Sequence, residues 1–91
     1  MVIIAGHEIV EEADRDLYVR AYLDLVRRAR RAPGCINVSI SADSVDPARV
    51  NTFECWESSE HLDAWRAVAD APDTGIHVAS ADVNMYVVSD V

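Results

Sequence analysis

The feature that most narrows what this chain can fold into is a change of hydrophobic period that occurs twice along it. Residues 2 to 10, VIIAGHEIV, are rich in β-branched side chains and suit a strand, with Gly6 marking a bend or a close approach. From Asp14 the period becomes helical: Tyr18, Ala21, Tyr22, Leu25, Val26 and Ala29 share one stripe. Asp14 is positioned as an N-cap, and Pro33-Gly34 ends the helix after about five turns. CINVSIS (35 to 41) then alternates Ile36, Val38 and Ile40 with Asn37, Ser39 and Ser41, as a strand with one wet face does. ADSVDPAR turns the chain through its aspartates and Pro47, and VNTFECWE (50 to 57) returns as a strand. Ser58 or Ser59 can cap a second helix with Leu62, Trp65 and Ala69 on one side, broken by Pro72 and Gly75. DVNMYVVSD (82 to 90) reads as the last strand.

The order β-α-β-β-α-β predicts an α+β, ferredoxin-like fold: a four-stranded antiparallel sheet with both helices on one face. Ninety-one residues suffice for one domain, spanning 1–91, and not for two. A chain of this size buries only about 60% of its unfolded surface, and the second sheet face would stay bare and partly apolar. A twin subunit is the simplest cover, so a homodimer is expected.

Sixteen acidic residues against eight basic ones give a net charge of -8, which repels a phosphate backbone or an anionic membrane surface. Nucleic acid is therefore not an expected partner. Half of the arginines sit in RRARR (27 to 31), where they complement the negative pole of a helix end. No apolar run approaches the roughly 20 residues of a membrane span, and MVIIAGHEIV lacks the basic start of a signal peptide, so a cytoplasmic protein is expected. Cys35 and Cys55 match no metal motif and read as free thiols.

RRAPGCINVSIS followed by DPARVNTFECWESSEHLDAW resembles the antibiotic biosynthesis monooxygenase domain. The likeness runs from the first strand to the region of Tyr86. It rests on Pro33-Gly34-Cys35, the Asp46-Pro47 turn, and Glu54-x-Trp56-Glu57-Ser58 leading into Leu62-Asp63-Ala64. The resemblance implies a dimeric α+β barrel, a pocket between sheet and helices, and oxygenation of a small phenolic or quinol-type aromatic by O2 with no metal, flavin or other cofactor.

In the third strand Thr52, Glu54 and Trp56 share a face. Trp56 matches a tryptophan of similar enzymes, which makes it the expected wall of the pocket and donor to a substrate oxygen. Otherwise it fills core beneath a helix, with Glu54 reaching an ion pair at the dimer seam. Some relatives carry an asparagine where this chain has Thr52. Oxygenation without a cofactor needs a base to make an electron-rich phenolate, and histidine is the natural one near neutral pH. Of three histidines, His7 projects from the row Ile3, Ala5, Ile9 and is the candidate base; a core histidine is the plainer reading. His77, in the loop before the last strand, could close a pocket mouth. Tyr22, Thr52, Glu54, Trp65, His77 and Tyr86 are the candidate substrate contacts, with core packing the alternative for the tyrosines.

Two other readings compete. A non-catalytic small-molecule-binding or structural dimer fits the same fold. A haem-degrading relative would need an axial histidine on the second helix; Trp65 follows LDA there, leaving His61 as the substitute.

Overall fold

The computed structural model describes residues 1–89. Strands β1 (Val2–Val10), β2 (Cys35–Ala42), β3 (Arg49–Trp56) and β4 (Val78–Val87) form one antiparallel sheet in the order β2-β3-β1-β4. Helices α1 (Arg15–Ala21) and α2 (Leu23–Arg30) join β1 to β2, and α3 (Ser59–Arg66) joins β3 to β4. The α+β, ferredoxin-like arrangement expected from the sequence is the one observed. No helix among the described residues is long and apolar enough to cross a membrane.

Strand alternation decides which side chains meet the helices. Val2, Ile4 and Val10 are buried, so the even-numbered row of β1 faces the helices, together with Gly6 and Glu8. Register carries Val50, Thr52, Glu54 and Trp56 of β3, and Val38 and Ile40 of β2, to the same side. The core beneath the helices is in two parts. One gathers Val2, Ile4, Val26, Ala29, Val38, Trp56, Leu62 and Trp65. The other is Val10, Tyr18 and Val50, and Ile40 packs against both. Fully burying one large apolar side chain such as Leu62 contributes about 1.5–3 kcal/mol, so each part resists the loss of a single member poorly. Between them the row of β1 passes through Gly6, which has no side chain, and a gap results. A Cβ there would run into the backbone carbonyl of Asp82 on β4, so glycine is required by the close approach of the two strands.

Five details depart from the sequence expectations. Helix α3 ends at Arg66, short of Ala69. The first helix tightens at Tyr22 (φ -92, ψ -1), whose N–H donates to the Val19 carbonyl at 3.2 Å before Val26 resumes the helical pattern. Asp14 makes no side-chain cap; a 3-10 turn over Glu12–Asp14 leads into α1 instead. In β2, Cys35 pairs with Trp56 and Asn37 with Cys55, so Ile36 is the extra residue of a bulge and is exposed rather than core-facing. Strand β4 begins at Val78, earlier than Asp82, because Ser80 and Val78 pair with Ile9 and Val10. It ends at Val87, and the predicted end at Asp90 lies outside the described residues.

The arginine run stitches elements together. Arg28 Nη1 donates to the Ala69 carbonyl at 2.7 Å, and Arg30 Nε to the Val38 carbonyl at 2.8 Å. Past the end of α2, Gly34 sits at φ +79 in the turn closed by the Cys35 N–H donating to the Ala32 carbonyl at 3.2 Å, and an added Cβ there would collide with the His61 ring. The face opposite the helices carries Ile3, Ala5, His7 and Ile9, with Phe53 and Tyr86 beside them and exposed. Cys55 lies on that face and Cys35 on the helix side, and both thiols are free. Burial first, and the nearby Glu54 carboxylate second, push the Cys35 thiol up.

Candidate active site

The gap between the two parts of the core is a cavity of about 350 Å³, within the range of small-molecule sites. Its floor is Glu8 of β1, Thr52 and Glu54 of β3, Val38 and Ile40 of β2, and Val83 of β4. Tyr18, Tyr22 and Leu25 roof it on one side, and Trp65, Arg66 and Ala69 on the other. The tightened turn at Tyr22 therefore falls where the helix crosses the cavity.

Two carboxylates face a mostly apolar space. Glu8 pairs with Val50 and Glu54 with Ile4, so the two acids stand four residues apart in register, about 13 Å along the strand. Each has one neutral donor. The Tyr18 hydroxyl donates to Glu8 Oε2 at 2.7 Å, and the Trp56 indole N–H donates to Glu54 Oε1 at 3.1 Å. Burial, and then the bond to Glu8, push the Tyr18 phenol far above its ordinary value, so it stays a neutral donor. Tyr18 and Tyr22 lie 5.1 Å apart, tilted by 46°. Trp56 stacks on Trp65 at 6.1 Å and 22°, and the Arg28 guanidinium lies 5.7 Å from the Trp65 ring on a second approach.

Tyr22, Thr52, Glu54 and Trp65, four of the candidate contacts, lie in one lining. Trp56 is not a wall: it has no exposed surface, and its N–H is taken by Glu54. It fills core, as the plainer reading of the sequence has it, and touches the lining through its hydrogen bond to Glu54 and its stacking on Trp65. His7 does not line the cavity, because alternation directs it to the opposite sheet face, across from Asn51 and Asp82. Tyr86 pairs with Ile3 and projects to that same face, half exposed. His77 is exposed in the segment before β4 and is not part of the lining.

His61 lies elsewhere. Its Nδ1 is 2.7 Å from Ser58 Oγ, which also caps α3 by accepting the His61 backbone N–H. Its ring packs over Gly34 in a small recess beside Pro33, away from the cavity. Among the described residues no three histidine, cysteine or acidic side chains are grouped as metal ligands would be. Glu8 is the site carboxylate that the sequence did not single out, and Tyr18, which the sequence places in the core or a pocket wall, is its partner. The available signal was a carboxylate in the row Ile4, Gly6, Glu8, Val10 and a phenol on the helical stripe.

A family model described as antibiotic biosynthesis monooxygenase matches residues 1–71. Among curated proteins none matches the chain. Solved structures that carry the same family designation share the fold. One from Chloroflexus aurantiacus superposes with a TM-score of 0.77 at 20% identity, covering 99% of this chain and 94% of its own. One from Nitrosomonas europaea gives 0.73 at 18% identity, covering 94% and 96%. One from Deinococcus radiodurans gives 0.70 at 15% identity, covering 100% and 95%.

Proposed function

The chain belongs to the antibiotic biosynthesis monooxygenase family, and from that premise we propose that it oxygenates a small electron-rich phenol or quinol in the cavity between its sheet and helices. The observation that carries this reading is Glu54: a carboxylate in an apolar, aromatic-walled cavity, with one oxygen fixed by the Trp56 indole. Glu54 accepts the phenolic proton, and the resulting phenolate transfers an electron to dioxygen. Trp65 and Tyr22 hold the ring, and the apolar walls keep competing water out. The reaction balances as phenol plus O2 giving quinone plus water, one oxygen atom kept on the ring and the other leaving as water.

Glu54 takes the role expected of His7, since a base must reach the proton it removes and His7 is on the far side of the sheet. Trp56 is a positioning residue for Glu54 in this scheme. His7, Phe53 and Tyr86 belong to the face that a second copy covers, making the working unit a homodimer.

Oxygen uptake tests the proposal. With a hydroquinone or naphthol and catalase present, the wild type should consume O2 and Glu54→Gln should be slower by about 100-fold, within the range for a general base. Running the assay with and without catalase separates the two outcomes: catalase returns half of the O2 when the quinol is simply oxidised with release of hydrogen peroxide, and none when one oxygen atom enters the ring and the other leaves as water. Equal rates for wild type and Glu54→Gln contradict the assignment of the base. Binding of the phenol without O2 uptake leaves a binding dimer of the same fold.

A further inference from the structure

We propose that the Glu8 end of the cavity is a subsite for a protonated amine, so that the natural ligand is an aromatic carrying an ammonium arm. The inference rests on reading the cavity as the ligand site and specifies what enters it.

The two ends of the cavity differ chemically. At the Glu54 end the carboxylate already receives an indole N–H, and a phenolic hydroxyl completes its acceptor set. At the Glu8 end one oxygen receives the Tyr18 hydroxyl. Glu8 takes part in none of the salt bridges among the described residues, so its charge has no cation of the chain beside it. Beside that charge stand two tyrosine rings, 5.1 Å apart and tilted at 46°. A carboxylate flanked by aromatic rings at the end of an apolar space is the composition that recognises an ammonium group: the carboxylate supplies charge and acceptor, the rings supply their negative faces.

The alternatives fit less well. A ligand carboxylate or phosphate at this end would face Glu8 with no basic partner, and like charges at close range in a partly dry site are costly. Tyr18 does not relieve this, since its one hydroxyl proton is already donated to Glu8. Arg66 is the basic residue of the lining, set against two acids, so the cavity carries a net negative charge within a chain of net charge -8. Cations are therefore drawn toward it over a distance as well as bound at its end. An ammonium at Glu8 and a hydroxyl at Glu54 fix the ring in one orientation between them.

The test is calorimetric titration under nitrogen with three catechols of matched skeleton: dopamine, 4-ethylcatechol and 3-(3,4-dihydroxyphenyl)propionate. For the wild type at neutral pH, dopamine should bind about tenfold tighter than 4-ethylcatechol, and the propionate weakest. Glu8→Gln keeps an acceptor for Tyr18, so the fold persists, and it should cut the dopamine preference to about threefold or less. Near-UV circular dichroism confirms that this variant is folded. Equal affinities for dopamine and 4-ethylcatechol, a preference that survives Glu8→Gln, or no binding by any of the three overturns the amine subsite. Oxygen uptake is read separately. Selective dopamine binding with no O2 consumption keeps the subsite and removes the oxygenase reading. O2 consumption with equal affinity for both catechols does the reverse.

Discussion

Trp56 and Glu54 lie two residues apart on one row of β3, and the buried indole of the first donates to the carboxylate of the second at 3.1 Å. Strand alternation guarantees that they project together, and the bulk of Trp65 stacked on Trp56 keeps the indole from turning away. The buried indole is thereby tied to the cavity both by this hydrogen bond and by its stacking on Trp65. Trp56→Phe keeps most of the stacking surface and deletes the N–H. It should lower stability by about 1–2 kcal/mol in urea unfolding, because a half-buried carboxylate loses its donor. Phenol turnover should fall with it while Trp56→Ala, which opens a cavity, costs about 3–5 kcal/mol. A Trp56→Phe protein as stable as the wild type would mean that the bond contributes nothing.

Gly34 and His61 form a second such contact. Gly34 adopts φ +79, and a Cβ there would strike the imidazole. Gly34→Ala should cost about 1–3 kcal/mol. Combining it with His61→Ala removes the ring and leaves the His61 Cβ 2.6 Å from the added methyl, so the collision is relieved in part and the double variant should be about 1 kcal/mol more stable than the sum of the single losses. Strict additivity in a double-mutant cycle would place the whole penalty in the backbone.

Asp43 sets an acid-stability window. Backbone N–H of Asp46, the Asn51 side-chain amide and backbone N–H of Val45 all donate to its carboxylate and hold its pKa down to about 2, from an ordinary 3.8. A carboxyl held down stabilises the fold fully above its unfolded pKa and stops doing so as pH falls through the folded one. Asp43→Asn cannot titrate. The gap in melting temperature between wild type and Asp43→Asn should stay constant above about pH 5 and close between about pH 4 and 2. A gap unchanged down to pH 2 contradicts the assignment.

The sheet face opposite the helices leaves Phe53 37% and Tyr86 53% exposed, next to Ala5 and Ile3. Apolar surface of this kind is seldom left to water. Light scattering should give twice the chain mass for the wild type and the single chain mass for Phe53→Glu, which buries a charge at the seam. A wild-type monomer would remove the proposed dimer.

Period and turn chemistry made the element order legible, and alternation made the row Thr52, Glu54, Trp56 legible as one surface. It could not say which row of β1 turns inward. Val2, Ile4 and Val10 face the helices, yet Ile3, Ala5 and Ile9 are as apolar, as expected of a strand whose second face is also to be covered. The pattern therefore allows His7 on either face, and the fold puts it on the one away from the cavity. Glu8 and Tyr18 meet only once α1 folds back over β1, a contact that neither local pattern encodes. Ile36 and the start of β4 were displaced by the pairing of whole strands, where one bulge or an added ladder overrides local propensity.

The most direct test of the cavity as the reaction site is to fill it. Thr52 lies in mid-floor on β3, between the two acids, so Thr52→Phe occupies the space without removing any group assigned a chemical role. Near-UV circular dichroism establishes that the variant is folded, and oxygen uptake with a hydroquinone is then compared with the wild type. A fall of about tenfold or more is predicted; uptake at the wild-type rate in the folded Thr52→Phe protein would contradict the account.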